Sequence, residues 1–415
     1  MPQKKPYSEA VTTGQYVKKT GLSGKYDNVR RFWEDEATRL FIRPYLKEVV
    51  DEKAKKLERL KVLDIGCGAG DGFDLLMGMT VKDRGIYEYA VELINQEMLG
   101  NYIGIDINRD LLNQARESYG DNEKIIFREA DFTKGVPHEE GPFDIYFTSY
   151  GTLSHNRDEQ SINLLADVAR NCNDSALIIG DWLGRYSYEW QDLWEMDPSG
   201  ETFMDYRISY IYSPEERLIA EIPSFPLRLA SREEITYIIN EASRQSGTEI
   251  NIKKICDRSL FVGRHMDTAE YNRHCPAIRE VVNSLIEPNV RTDLNALIID
   301  YFPKKGFDRL NSFFEGFSMC WNRLVEHTME FLADFDGETE TDNGISDLYT
   351  FYPEPLKNAV KTMKKVINAT GLLPGDTRAN IIEPQLAYAL RKLEMDMQPG
   401  FGVGHGLIGI LEIKK

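Results

Sequence analysis

No stretch of this chain approaches 18 consecutive apolar residues, so no membrane-spanning helix is expected. The opening residues Met1-Pro2-Gln3-Lys4-Lys5 are polar and lack an apolar core, so no secretory signal is read. Cysteine is scarce: five residues, at 67, 172, 256, 275 and 320, with no Cys-x-x-Cys pair. That scatter argues against a zinc ribbon and a disulfide scaffold, and predicts reduced thiols in a cytoplasmic protein. Basic charge is in deficit, with 50 Lys and Arg against 67 Asp and Glu and a net charge of −17. An acidic chain repels phosphate backbones, so neither a nucleic acid nor a membrane is the expected partner. No Gly-Lys-[Ser/Thr] follows a glycine turn, which excludes a P-loop.

What is present is ample. The chain has 415 residues, 42% of them hydrophobic, enough for one enlarged α/β domain or for two domains. From Asp27 to about Arg59, Val29, Phe32, Trp33, Leu40, Phe41, Tyr45, Leu46 and Val49 recur at helical intervals, and Pro44 is expected to split the helix. Strands at 61–65, 101–106, 124–128, 143–149 and 175–181 then alternate with helices at 71–79, 109–118 and 157–171. Such alternation predicts parallel pairing and a doubly wound sheet. The run Ala90-Val91-Glu92-Leu93-Ile94 suggests an extra helix within 78–100. Phe203–Tyr212 and Arg217–Leu229 read as an antiparallel hairpin. Ser231 with Glu234 forms a capping box for a helix at 231–245. Asn251–Val262 reads as a strand or strand pair, and the acidic run Asp334–Asp347 as an exposed loop. Residues 265–395 are helical by pattern, while Leu407–Ile413 is a strand that needs a sheet to join. The economical solution returns it to the first sheet.

The most informative segment is Leu63-Asp64-Ile65-Gly66-Cys67-Gly68-Ala69-Gly70. It runs an apolar strand into a glycine turn, where a backbone can approach a ligand closely. At the carboxyl end of a strand in an open α/β sheet, that is where nucleotide-like ligands bind. Asp106 ends a later strand, and a carboxylate there can accept hydrogen bonds from two vicinal hydroxyls. Asp131-Phe132 follows the next strand. A nicotinamide enzyme would start the same way, but its Gly-x-Gly-x-x-Gly is out of step with Gly66, Gly68 and Gly70.

Leu63–Gly70, Gly104-Ile105-Asp106-Ile107, Ala130-Asp131-Phe132 and Phe143-Asp144-Ile145 together resemble the successive motifs of class I S-adenosylmethionine (SAM) methyltransferases. The resemblance implies a seven-stranded, mostly parallel sheet with an antiparallel last strand, here Gly406–Ile413. It implies SAM held by Asp64, Gly66, Cys67, Gly68 and Gly70, with Asp106 and Ile107 at the ribose. Asp131 and Phe132 would meet the adenine, and Ser149 and Tyr150 the sulfonium. One departure is the long separation of Gly70 from Asp106, which the extra helix would absorb. On this reading residues 1–60 form a helical lid and 61–263 the SAM-binding core, with a hairpin insert at 183–230. Residues 264–400 form a helical substrate domain, and 401–415 the final core strand.

Methyl transfer needs a base only where the acceptor carries a proton to lose. His155, in the loop after the fourth strand, and Asp181, ending the fifth, are the candidate catalytic residues. For His155 a capping role weighs equally, and for Asp181 a structural cap weighs slightly more. His265 and His405 are lone histidines, more often structural than catalytic. No metal is assigned, although His155, Gln160, Asp131 and Asp181 could hold one if they converged. The aromatic run Trp182, Tyr186, Tyr188, Trp190 and Trp194 reads as core. The expected activity is methylation of a small or medium organic molecule by a cytoplasmic enzyme, its oligomeric state open to include a homodimer. Alternatives are a protein or carrier-tethered acceptor, or a SAM-binding protein without transferase activity.

Overall fold

The computed structural model describes residues 7, 11, 21–82, 90–195, 200–336, 351–370 and 375–415. In chain order, a π-turn (Arg30–Glu34) leads into α1 (Asp35–Lys56), followed by β1 (Leu60–Ile65), α2 (Asp71–Met77), β2 (Thr80–Lys82) and β3 (Ala90–Glu92). Next come β4 (Leu99–Asp106), α3 (Arg109–Tyr119), β5 (Ile125–Glu129), β6 (Ile145–Phe147), α4 (Asp158–Asn171) and β7 (Ser175–Gly184). Then follow β8 (Phe203–Arg207), β9 (Ser224–Ala230), α5 (Arg232–Ser246) and β10 (Ile250–Arg258). Helices α6 (Ile278–Ile286), α7 (Asp308–Asp336), α8 (Glu354–Thr370) and α9 (Glu383–Met397) precede β11 (Gly406–Lys414).

The main sheet runs β10-β11-β7-β6-β1-β4-β5. Its β7-β6-β1-β4-β5 half is parallel throughout. Strand β11 slots between β7 and β10, antiparallel to both. The final strand therefore does return to the first sheet, after four helices. The β8–β9 hairpin extends the sheet, because Leu229 and Ala230 of β9 pair in parallel with Leu183 and Gly184. Strand β7 is buried almost end to end. Its Leu177-Ile178-Ile179 run suits a strand covered on both faces. Phe41, Leu75 and Leu112 pack on one face of the sheet, and Leu165 and Ile239 on the other. The Ser231–Glu234 capping box starts α5 as expected.

Three expectations need correction. Residues 80–82 and 90–92 form no helix; they pair as the antiparallel ladder β2–β3, with Val81 opposite Val91. The apolar spacing arose because Leu93 and Ile94 turn into the core while Val91 stays on an exposed strand. Pro44 does not split its helix, since α1 runs through it. Its fixed φ is helical, and the chain sacrifices one backbone bond there. Of the strand or strand pair read at Asn251–Val262, the structure has one strand, β10, which ends at Arg258. Helix α7 continues to Asp336, so the acidic loop read at 334–347 is helical at its start. The rest of it, and most of 1–25, lie outside the described residues.

Helices α6–α9 share a hydrophobic cluster with Val29 and Trp33, which flank and enter the π-turn. Glu394 on α9 is buried there. It accepts hydrogen bonds from the Trp33 indole (3.0 Å) and from the Ser259 and Leu260 amides (2.9 Å each). Burial outweighs these bonds and raises its carboxyl to about 7. Folding therefore takes up a proton at this group. Its contribution to stability is full in acid and is lost as pH rises through about 7. Glu394→Gln should shrink the fall in melting temperature seen between acid and mildly alkaline buffer. An equal fall in both proteins, followed by calorimetry, would remove this group from the pH dependence.

Candidate functional site

The glycine turn is built by alternating backbone hands. Gly66, Gly68 and Gly70 have φ of +70°, +53° and +85°. The Gly66 and Cys67 amides both donate to the Ile105 carbonyl (2.8 and 3.0 Å), which stitches the turn to the end of β4. A Cβ on Gly66 would lie 2.5 Å from Thr152 Cγ2, whereas one on Gly68 would meet nothing nearer than Leu111 at 3.9 Å. Gly68 thus presents bare backbone to open space. Gly70 faces away, against the Tyr119 ring.

Asp106 locks the two strand ends together. One oxygen accepts the Gly68 amide (2.9 Å), the other the Asn108 amide (2.7 Å). A carboxylate at this strand end is the acceptor type that vicinal hydroxyls require. Asn108 caps α3, and its own Nδ2 is buried without a partner among the described residues. Asp64 lies fully buried behind the turn. The Tyr102 hydroxyl donates to its Oδ2, while Oδ1 has no hydrogen-bond partner among the described residues. Burial pushes its carboxyl up to about 7, the Tyr102 bond acting against it.

A cleft of 490 Å³ opens at these strand ends. It gathers ten residues singled out in the sequence: Gly66, Cys67, Gly68, Asp106, Ile107, Asp131, Phe132, Ser149, Tyr150 and His155. Asp64, Gly70 and Asp181 are absent from its lining. Asp181 instead accepts the Tyr150 and Gly151 amides (2.9 and 3.0 Å) and pairs with Arg258 (3.0 Å). It holds the loop in place rather than facing a ligand, as a structural cap would. Asp131 accepts from the Thr133 amide and hydroxyl, which hold its carboxyl below the ordinary range.

His155 opens onto the cleft, stacked on Phe225 (5.5 Å between centroids) with Tyr7 at its edge. Enclosure by the surrounding protein lowers it to about 4, so the ring is neutral at ordinary pH. Further along, Tyr206, Tyr210, Phe225 and Leu227 continue an aromatic and apolar wall. Lys25, Arg30, Arg258 and Arg264 supply cations. Burial lowers Lys25 to about 8, against the pull of Asp71. His405 also lines the cleft.

Sequence reading missed Asn108, Thr152, Tyr206, Phe225, Arg258 and Arg264. Only Asn108 left a local sign, as a helix cap directly after a strand. No group of three or more His, Cys, Asp or Glu converges as a metal site among the described residues. A second depression, of 560 Å³, lies at the opposite ends of the strands, near Ser175 and Lys414. Its lysines 53, 56, 253 and 414 are matched by acids, and it has neither the glycine turn nor the carboxyl ends of the parallel strands.

Residues 88–175 match the profile of the family described as a methyltransferase domain; the glycine turn precedes the matched segment. No curated protein sequence matches the chain. Among solved structures, it is similar to a SAM-dependent methyltransferase from Methanosarcina mazei. The two are 15% identical over 49% of this chain and 84% of that one, with a TM-score of 0.34. It is also similar to magnesium protoporphyrin IX methyltransferase from Synechocystis PCC 6803, at 13% identity over 61% and 90%, TM-score 0.35. A SAM-dependent methyltransferase from Mesorhizobium loti matches at 14% identity over 48% and 76%, TM-score 0.29. At such scores the likeness carries no argument about what this chain acts on.

The turn geometry makes a sharp prediction. Gly66→Ala combines a left-handed backbone with a collision at Thr152, and should cost about 1–3 kcal/mol. Gly68→Ala, with open space around it, should cost less stability and obstruct ligand entry instead. Chemical denaturation separates the two; equal destabilisation would refute the distinction.

Proposed function

We propose that this chain is a class I SAM-dependent methyltransferase that methylates a small or medium organic molecule. SAM supplies an electrophilic methyl group and leaves as S-adenosylhomocysteine. The residues present fit that cofactor. Gly68 offers bare backbone, Asp64 keeps an orphaned buried oxygen, and Asp106 places a carboxylate in the cleft lining at a strand end. In this reading Cys67 and Gly68 bind the methionine side, Asp106 and Ile107 the ribose, and Asp131 and Phe132 the adenine. Ser149 and Tyr150 then stand nearest the methyl group.

The acceptor side rests on one observation. Beyond Tyr150 the cleft continues between His155, Tyr206 and Phe225, under a roof that includes Lys25 and Arg30. An aromatic and apolar space of this size suits a small ligand. Methyl transfer is an in-line displacement, so holding the acceptor against the methyl group supplies much of the rate. The helices α6–α9, read as the substrate domain, act by fixing that roof.

Asp106→Ala should weaken S-adenosylhomocysteine binding by about 1.5–3 kcal/mol, roughly tenfold to a hundredfold. Isothermal calorimetry measures it; failure of the wild type to bind either SAM or its product would overturn the cofactor assignment. Label from methyl-labelled SAM, incubated with a cell extract, should enter the small-molecule fraction. Label confined to protein would overturn the acceptor class.

A further inference from the structure

His405 opens the last strand, and its position is tightly set. Its amide donates to the Ser259 carbonyl (3.0 Å), and its carbonyl accepts from the Gly184 amide (3.1 Å). The ring lies in the cleft wall, 5.4 Å from Trp190 and 6.4 Å from Tyr206 between centroids. Its Nδ1 is 2.8 Å from Oε1 of Glu189. Glu189 is wholly buried. Ser187 Oγ donates to the same oxygen (3.2 Å), and the His265 amide to the other (2.5 Å). Gly263 leaves room for this carboxylate, since a Cβ there would collide with it. With the Ser187 hydroxyl and the His265 amide already donating to it, this carboxylate is placed as an acceptor toward Nδ1 as well. Nδ1 of His405 must then carry the proton, which leaves the lone pair on Nε2, at the other side of the ring.

Among the described residues no other histidine combines such a carboxylate with a place in the cleft lining: His138 and His327 pair with Asp167 and Glu330 away from the cleft. His155 lines the cleft but has stacked rings around it in place of a carboxylate partner among the described residues. His265 is fully buried among Tyr206, Tyr210 and Tyr271, away from the cleft lining. We propose that His405 is the general base of the methyl transfer and that Glu189 is its positioning residue. The assignment rests on the methyl-transfer reading above, with an acceptor that carries an O–H or N–H. The acceptor loses its proton to Nε2 of His405 while its oxygen or nitrogen bonds to the methyl carbon. The sulfur–carbon bond breaks with both electrons kept on sulfur. His405 leaves the step as an imidazolium, stabilised by Glu189, and returns the proton to water.

The dyad can be tested without the acceptor. Long-range nitrogen–proton NMR on isotope-labelled histidines should show His405 as the Nδ1–H tautomer near neutral pH. Groups facing the ring are Glu189, Tyr206 and His265, with Arg258 packed against neighbouring Gly406. Glu189→Met removes the acceptor carboxylate and should move His405 off the pure Nδ1–H tautomer in the same NMR measurement. Diethyl pyrocarbonate should acylate His405 in the native enzyme, read by peptide mass spectrometry, and leave His265 intact. The Nε2–H tautomer in the wild type, an unchanged tautomer in the Glu189→Met variant or an unreactive His405 would each overturn the proposal. His405→Asn should keep S-adenosylhomocysteine affinity within about twofold by calorimetry, and a large loss would make His405 a cofactor ligand instead. Failure of the wild type to bind the product would sink the methyl-transfer reading while leaving the tautomer result standing.

Discussion

The outer wall of the cleft depends on one buried cation, Arg279. Its guanidinium makes a two-pronged contact with Asp27 (2.7 Å each) and reaches Glu34 (2.6 Å) and the Val262 carbonyl (2.6 Å). Arg264 takes the second Glu34 oxygen (2.8 Å). Burial alone would raise Glu34, but Arg264 and Arg279 hold its carboxyl well below the ordinary range. Such a cluster adds little net stability over apolar packing, yet losing one partner strands a buried charge at a cost of about 3–5 kcal/mol. Its value is positional. It ties α6 to the segment entering α1 across 252 residues of sequence, and that segment carries Lys25, Arg30 and Glu34 to the cleft. Asn283 reinforces the tie by accepting the Val29 amide (2.7 Å).

A second constraint sets the opposite wall. Asp257, buried at the end of β10, accepts the amides of Phe401, Gly402, Val403 and Gly404 at 2.8–3.2 Å. Burial still raises its carboxyl to about 6. That cluster of amides fixes where β11 begins. Register then follows: Gly406 pairs with Leu183, and Ile408 with Asp181. A slip by one residue would turn every side chain of β11 to the other face. The inserted helices and the last strand thus belong to one device, which closes the cleft with residues drawn from both ends of the chain.

How much of this was legible follows from distance along the chain. Leu63–Gly70 and Gly104–Ile107 carry their geometry locally, because a strand, a turn and a cap are short-range objects. Asp106 reached its expected place even though the helix invoked to absorb the long spacing is a two-stranded ladder. The error was one of period: five residues with apolar positions at 91, 93 and 94 fit a helix and a strand return equally well. The last strand was legible because an isolated apolar run needs a sheet. The acceptor wall was not. Tyr206, Phe225 and Arg258 come from separate elements, and no spacing announces that they meet. Glu189 and His405 lie 216 residues apart, so each looked like an ordinary buried or turn residue. Asp181 stood at the right strand end for a cleft role, but the sequence could not show that its oxygens are filled by the next loop's amides.

Tyr150 shows what these constraints achieve together. Its backbone sits at φ +56°, a left-handed conformation that a bulky residue adopts only under compulsion. Asp181 supplies the compulsion through the Tyr150 and Gly151 amides. The ring is then gripped on its face by Arg30, 3.1 Å from the centroid, and at its hydroxyl by Asp35. Arg30 in turn pairs with Asp35 (2.8 Å) and Asp71 (3.4 Å). A strained backbone, a stacked cation and a fixed hydroxyl leave this side chain little freedom between the glycine turn and the aromatic wall. In a displacement whose rate depends on alignment, a rigid partition is worth more than a further polar group. The same logic accounts for the roof: Arg30 can grip Tyr150 only while Arg279 holds the segment that carries it.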